Sequence, residues 1–185
     1  MKLSKKRFFI ALLPPQEVQE KATEIKQYFA QFYHSKAALK SPPHITLQPP
    51  FEWELEDLSR LEKQLDKFCQ FHSSIPMILD GFSAFKPRVI YINVVKTPEL
   101  LTIQKNLMSE LELSLDIVHE VSKSRPFNPH LTVAFRDLTK SNFAQAWAEF
   151  KDKKFYFEFL IDHLTLLIHN GKMWEVYKNF LLTHK

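Results

Sequence analysis

Two short stretches decide how this chain is read: Pro43-His44-Ile45-Thr46-Leu47 and Pro129-His130-Leu131-Thr132-Val133. Each places a His and a Thr two residues apart between aliphatic neighbours, directly after a proline. Alternation of this kind describes a strand, in which residues i and i+2 project from one face. Imidazole titrates near neutrality and can give or take a proton, while a hydroxyl two residues on can donate a hydrogen bond to the same anionic group. One such segment alone reads best as a strand fragment. The surroundings repeat as well: a strand follows each His, and a helical pattern begins about eleven residues later, near Leu55 and near Ser141. The repetition predicts an internal duplication with one motif in each half.

A third match, His163-Leu164-Thr165-Leu166, lacks the preceding proline, follows His130 by only 33 residues and runs into Asn170-Gly171 instead of a helix. It is read as a structural strand end and not as part of the site.

Outward from the motifs, strands are expected at Ile45 to Phe51, Met77 to Phe85, Val89 to Val95, Leu131 to Arg136 and Phe155 to Ile161. In the last, Phe155, Phe157, Phe159 and Ile161 alternate with Tyr156, Glu158, Leu160 and Asp162. Leu164 to Ile168, Asn170-Gly171 and Met173 to Tyr177 read as a closing hairpin. Helices are expected after Pro14-Pro15 on Val18, Ala22, Ile25, Phe29 and Phe32; on Leu55, Leu58, Leu61, Leu65 and Phe68; after the Thr97-Pro98 start; and over Ser141 to Lys151. Hairpins interspersed with helices give an α+β class with mainly antiparallel sheets.

Composition sets the bounds. The chain has 185 residues, 45% hydrophobic and 25% charged, enough for a core without disulfides or structural metal. The single cysteine, Cys69, asks for no oxidising compartment, and a cytoplasmic location is expected. The basic start Met1 to Arg7 followed by Phe8 to Leu13 is too short an apolar run for a secretory signal and reads as a buried first strand. No apolar run approaches a membrane span. The net charge of +4 permits an anionic substrate without requiring one. Only two glycines argue against Rossmann and P-loop architectures. None of the eight histidines has His-x-x-x-His spacing or a Cys pair beside it, so no metal and no cofactor are expected.

With both motifs in place, the sequence resembles the two-histidine phosphoesterase superfamily, and within it the branch of 2'-5' RNA ligases and RNA 2',3'-cyclic phosphodiesterases. The likeness runs from Arg7 to Leu182 and rests on the paired His-x-Thr motifs. It implies a bilobal, pseudo-symmetric α+β fold, two mainly antiparallel sheets with outer helices forming a central cleft, over one two-lobed domain, 1–185. It also implies metal-independent phosphoester chemistry at His44, Thr46, His130 and Thr132. The partner would be an RNA end or a small cyclic nucleotide, bound by a monomer away from membranes.

The chain departs from the family pattern at two places. Many relatives carry an arginine three residues after the second Thr; here that position is Phe135, and Arg136 follows. Arg136 shares the parity of His130 and Thr132 and would face the phosphate if the strand stays regular. Gln48-Pro49-Pro50-Phe51 also replaces the Phe-Leu-Gly often found after the first motif. Phe51, Trp53 and Phe127 flank the motifs and are candidates to stack a base, against the alternative of core packing. Lys86, Arg88, Lys123 and Arg125 are candidates to attract an RNA backbone, against the alternative of solvated loop charges. The expected activity is hydrolysis of a 2',3'-cyclic phosphodiester, together with reversible 2'-5' RNA ligation at the same site. The alternatives are another 2'-5' or cyclic nucleotide substrate, or a non-catalytic nucleotide- or RNA-binding module.

Overall fold

The computed structural model describes residues 4–184. Met1 to Leu3 of the basic N-terminal run, and Lys185, lie outside the described residues. The remaining chain forms two four-stranded antiparallel sheets. The first has the order β2-β1-β7-β8, built from β1 (Lys5–Leu12), β2 (Ile45–Glu54), β7 (His163–His169) and β8 (Trp174–Leu181). The second has the order β5-β4-β3-β6, built from β3 (Ile75–Phe85), β4 (Val89–Val94), β5 (His130–Ala134) and β6 (Tyr156–Ile161). The helices are α1 (Gln16–Phe32), α2 (Leu58–Gln70), α3 (Pro98–Leu115), the short α4 (Glu120–Lys123) and α5 (Lys140–Phe150).

The duplication is visible in the topology. Each His-x-Thr motif lies at the start of an edge strand, β2 or β5, which pairs with β1 or β4 respectively. Thr46 lies opposite Ala11, and Thr132 lies opposite Tyr91. The helix after each of those strands reaches to the other half: α1 packs beside β5, and α3 beside β2. The two motif strands are thereby brought against one another.

Strand alternation explains the layering. On β1, Phe8, Ile10 and Leu12 enter the main core together with Leu79, Ile90 and Ile92 of the second sheet. Phe9, Ala11 and Leu13 point the other way and form a smaller apolar cluster with Leu167 and Trp174. This two-sided burial is why the run Phe8 to Leu13 is apolar throughout. Burying each such large side chain contributes about 1.5–3 kcal/mol before the entropic cost of ordering it.

Helix starts follow the expected chemistry. Pro15 precedes α1, and the Thr97 hydroxyl accepts from the Leu100 amide at 3.3 Å, with Pro98 at the first helical position. Leu55 falls in a 3-10 turn (Leu55–Asp57) that leads into α2, so that helix begins later than the periodicity predicts. In the closing hairpin only Gly171 takes a positive φ, 100°; Asn170 uses its side chain instead, accepting from the Lys172 and Met173 amides at 2.9 Å. α4 and the 3-10 turn Ala37–Lys40 are each only four residues long, too short for a periodic apolar pattern to mark them in the sequence.

Side chains also join the halves. Asp137, just after β5, accepts from the Ser35 hydroxyl at 2.8 Å and from the Lys36 and Ala37 amides at 2.7 and 3.0 Å. Glu149 of α5 accepts from Tyr28 of α1 and from Tyr33 at the end of that helix.

Candidate active site

In both motifs the aliphatic residues face the core and the polar ones do not. Ile45, Leu47, Leu131 and Val133 are buried, whereas His44, Thr46, His130 and Thr132 are half-buried on the opposite face of their strands. The surroundings of the two histidines correspond. The His44 ring lies 4.8 Å from Phe9 on β1, and the His130 ring lies 5.3 Å from Tyr91 on β4. Phe85 adds an edge-to-face contact to His130 at 5.0 Å.

Each imidazole is held by its own backbone. The Nδ1 of His44 is 2.7 Å from the Pro42 carbonyl oxygen, and that of His130 is 2.7 Å from the Asn128 carbonyl oxygen. A carbonyl can only accept, so Nδ1 carries the proton and Nε2 is left with its lone pair. The prolines before the histidines, Pro43 and Pro129, are buried and restrict the backbone that supplies these carbonyls.

The electrostatics of the two rings share a direction. Burial, above all, lowers the His44 pKa to about 4, assisted by the charges of Lys26 and His130 and opposed by the Pro42 hydrogen bond. Burial likewise lowers the His130 pKa, opposed by the Asn128 hydrogen bond. The repulsion from His130 reflects how close the two motifs stand. Both imidazoles are therefore neutral at neutral pH, and a bound phosphate anion would raise both.

Lys26, on α1, is 2% exposed and donates to the Ser41 carbonyl at 3.0 Å. Burial lowers its pKa to about 8. It ties α1 to the segment entering the first motif. Lys26 is not among the residues expected at the site, although its spacing of four from Ala22 and three from Phe29 places it on the buried helical stripe.

Two cavities meet at Thr46. The larger, about 660 Å³, is lined by His44, Thr46, Phe9, Trp174, Phe135 and a group of basic side chains. The other, about 390 Å³, is lined by Thr46, His130, Phe85, Phe127, Pro49 and Gln104, among others. Thr132 shares the half-exposed face of β5 with His130. Among the described residues no three His, Cys, Asp or Glu side chains converge as a metal ligand set.

β5 ends at Ala134, two residues short of Arg136, which takes a left-handed φ of 58°. Arg136 therefore does not follow the alternation of His130 and Thr132, because the chain has already turned. Arg136 still lines the His44 cavity, its guanidinium 5.0 Å from the Phe135 ring centre. Phe51 is not at the cleft: it sits opposite Phe8, their ring centres 6.3 Å apart, and packs on the main core. Its parity with Ile45 and Leu47 could have shown this. Trp53 also packs on the core and donates to the Asp57 carbonyl at 3.0 Å. Phe127 lines the His130 cavity, as does Arg125, while Lys123 is paired with Glu112. The third motif is occupied structurally: His163 lies 2.7 Å from Asp162, and the buried Thr165 bonds Asn179 at 2.8 Å.

The fold is shared with solved structures, and the sequence is similar to known proteins over nearly its whole length. A Geobacillus kaustophilus protein described as "Putative phosphoesterase" is 30% identical over 183 residues, covering 97% of this chain and 98% of its own. A Geobacillus sp. (strain WCH70) protein with the same description is 31% identical over the same coverage. Among solved structures, Thermus thermophilus TT0787 superposes with a TM-score of 0.72 at 21% identity, covering 97% of this chain and 99% of that one. Escherichia coli LigT complexed with 3'-AMP gives a TM-score of 0.71 at 19% identity, covering 98% of this chain and all of LigT. A family model described as the 2'-5' RNA ligase superfamily matches residues 14–173, and with these relatives and this pseudo-symmetric fold the chain belongs to that family of two-histidine phosphoesterases.

Proposed function

We propose that this protein hydrolyses a 2',3'-cyclic phosphodiester on an RNA end or nucleotide, without metal, using His44 and His130 as the proton-transfer pair. The supporting observation is that both Nδ1 atoms are engaged by carbonyls 2.7 Å away, which leaves both Nε2 atoms for the substrate. A water attacks phosphorus and gives its proton to one Nε2. The bond from phosphorus to one ribose oxygen breaks, and the other imidazole, protonated when the anionic substrate binds, delivers a proton to that oxygen. The product is a phosphomonoester beside a free hydroxyl. Thr46 and Thr132 donate to the phosphoryl oxygens, where charge builds up during attack. With a ribose 5'-hydroxyl in place of water as the attacking group, the same steps break the bond from phosphorus to the 3'-oxygen and leave a 2'-5' linkage; in the reverse of that step the 3'-hydroxyl attacks, the 5'-oxygen leaves, and the histidines exchange roles.

Escherichia coli LigT, which shares this fold, has been crystallised with 3'-AMP, ATP and NADP+, which supports a nucleotide as the ligand here. The buried, unpaired Cys69, whose thiol pKa burial pushes up to about 12, suits a reducing cytoplasm. No helix among the described residues is long and apolar enough to cross a membrane. We take the working unit to be the monomer.

The test is turnover of a short RNA with a terminal 2',3'-cyclic phosphate in excess EDTA, comparing wild type with His44→Ala and His130→Ala. The expected result is turnover by wild type, with a loss of roughly 10²- to 10⁴-fold in each variant. A folded wild type that binds this RNA yet leaves it intact would overturn hydrolysis in favour of a binding module.

A further inference from the structure

The two cavities that meet at Thr46 differ in charge. The His44 cavity carries Arg7 from β1, Lys36 and Lys40 at the ends of the 3-10 turn after α1, Arg136 after β5 and Lys172 in the β7–β8 turn. These are five cations from four separate segments, in a chain whose net charge is only +4. Among the described residues none of the five lies in an ion pair. The acid lining the cavity, Asp137, is already engaged by the Ser35 hydroxyl and the Lys36 and Ala37 amides. On the other side, the His130 cavity has Phe85, Phe127, Leu47 and Pro49 in its wall and one cation, Arg125. An aromatic pocket and a cationic pocket thus flank the place where both motifs meet.

That division matches the connectivity of a ribose 2',3'-cyclic phosphate. The reacting group sits on the C2'–C3' edge, and the two carbons flanking that edge send out the base, from C1', and the 5' substituent, from C4'. With phosphorus between the histidines, one flank faces each cavity. Aromatic faces accept any base by stacking, and an unpaired cationic cluster attracts phosphate.

Resting on the reading of the site as a cyclic phosphodiesterase, we infer that the substrate carries a second phosphate, on its 5' side, held by Arg7, Lys36, Lys40, Arg136 and Lys172, while its base lies in the Phe85–Phe127 pocket. A bare nucleoside cyclic phosphate uses only half of this site. The second phosphate can be the phosphodiester of a preceding nucleotide or a 5'-terminal phosphate.

The inference is tested with adenosine 2',3'-cyclic phosphate, its 5'-phosphorylated form, and ApA ending in a 2',3'-cyclic phosphate. The expected kcat/KM of the better of the two extended substrates exceeds that of the bare one by about tenfold or more at low salt, and the advantage shrinks as salt screens the lysines. Whichever extended substrate leads identifies the source of the phosphate. In the variant Lys36→Gln/Lys40→Gln/Lys172→Gln the ratio should fall toward one. These side chains are exposed, so the fold has no stake in them. Lys63→Gln, on α2 and lining neither cavity, should keep the wild-type ratio. Equal kcat/KM for all three substrates in wild type would overturn the inference.

A binding arm separates this outcome from failure of the hydrolysis reading. Titration with adenosine 2'-phosphate and adenosine 2',5'-bisphosphate needs no turnover. Tighter binding of the bisphosphate by about tenfold, lost in the triple variant, upholds the second-phosphate pocket even if no cyclic phosphate is hydrolysed. Equal affinities overturn it even if hydrolysis is found.

Discussion

His44 and His130 make the same hydrogen bond in the two halves of the molecule: each Nδ1 lies 2.7 Å from the carbonyl oxygen two residues earlier, that of Pro42 in one half and Asn128 in the other. The bond fixes ring orientation and tautomer together, and a buried proline between donor and acceptor holds its frame. A local motif of four residues thereby delivers an Nε2 lone pair to the cleft twice.

The first prediction concerns that tautomer. Nitrogen NMR of the labelled protein at pH 7 should show both rings neutral, protonated at Nδ1. Adding 3'-AMP should move both resonances toward the imidazolium form, because an anion between the rings opposes the burial that keeps them neutral. Protonation at Nε2 in the free protein would contradict the geometry.

Acid stability follows from His44. Its pKa in the folded chain, about 4, lies below the ordinary histidine value near 6.5. Between those values the unfolded chain binds a proton that the folded chain refuses. The stabilising contribution is therefore complete above about pH 6.5 and is lost as pH falls toward 4. By linkage, about 2 kcal/mol of it should disappear between pH 7 and pH 5. His130, shifted in the same direction, adds to the slope. Urea unfolding at the two pH values should show this loss in wild type and a smaller one in His44→Gln; identical slopes would count against a neutral buried His44.

Lys26 influences the same ring through charge and through its bond to the Ser41 carbonyl. Lys26→Met keeps the apolar stem and removes the ammonium. The His44 pKa should rise, and the acid limb of the pH–rate profile with it. An unmoved limb with lowered activity would mean that Lys26 only supports the loop.

The threonines are expected to act on the transition state. Thr46→Val and Thr132→Val preserve shape and strand preference while deleting a donor. Each should lower kcat by about 10- to 100-fold with little change in KM, the signature of a bond that strengthens as charge develops. A rise in KM at constant kcat would instead assign the hydroxyls to ground-state binding.

Much of the fold was legible in the sequence because its signals are local. Period-two alternation marked β6, spacings of three and four marked α1, and Thr97-Pro98 marked the start of α3. The repeated Pro-His-aliphatic-Thr pattern pointed to a duplication, and alternation along β2 and β5 put His and Thr on one face and the aliphatics on the other. Loops were less readable. Arg136 faces the cavity only because its backbone turns left-handed after the strand has ended, and no residue spacing encodes that turn.

What the sequence by itself determined, then, was which residues share a face within one strand or helix, since backbone geometry fixes that over a few residues. What the tertiary structure alone decided was which faces meet: Lys26 of α1 beside His44, Phe127 in the wall of the His130 cavity, and Arg7, Lys36, Lys40, Arg136 and Lys172 around a single cavity. Those neighbours come from segments far apart in the chain, and they are set by how two sheets and their crossing helices pack, a property of the whole core and of no local pattern.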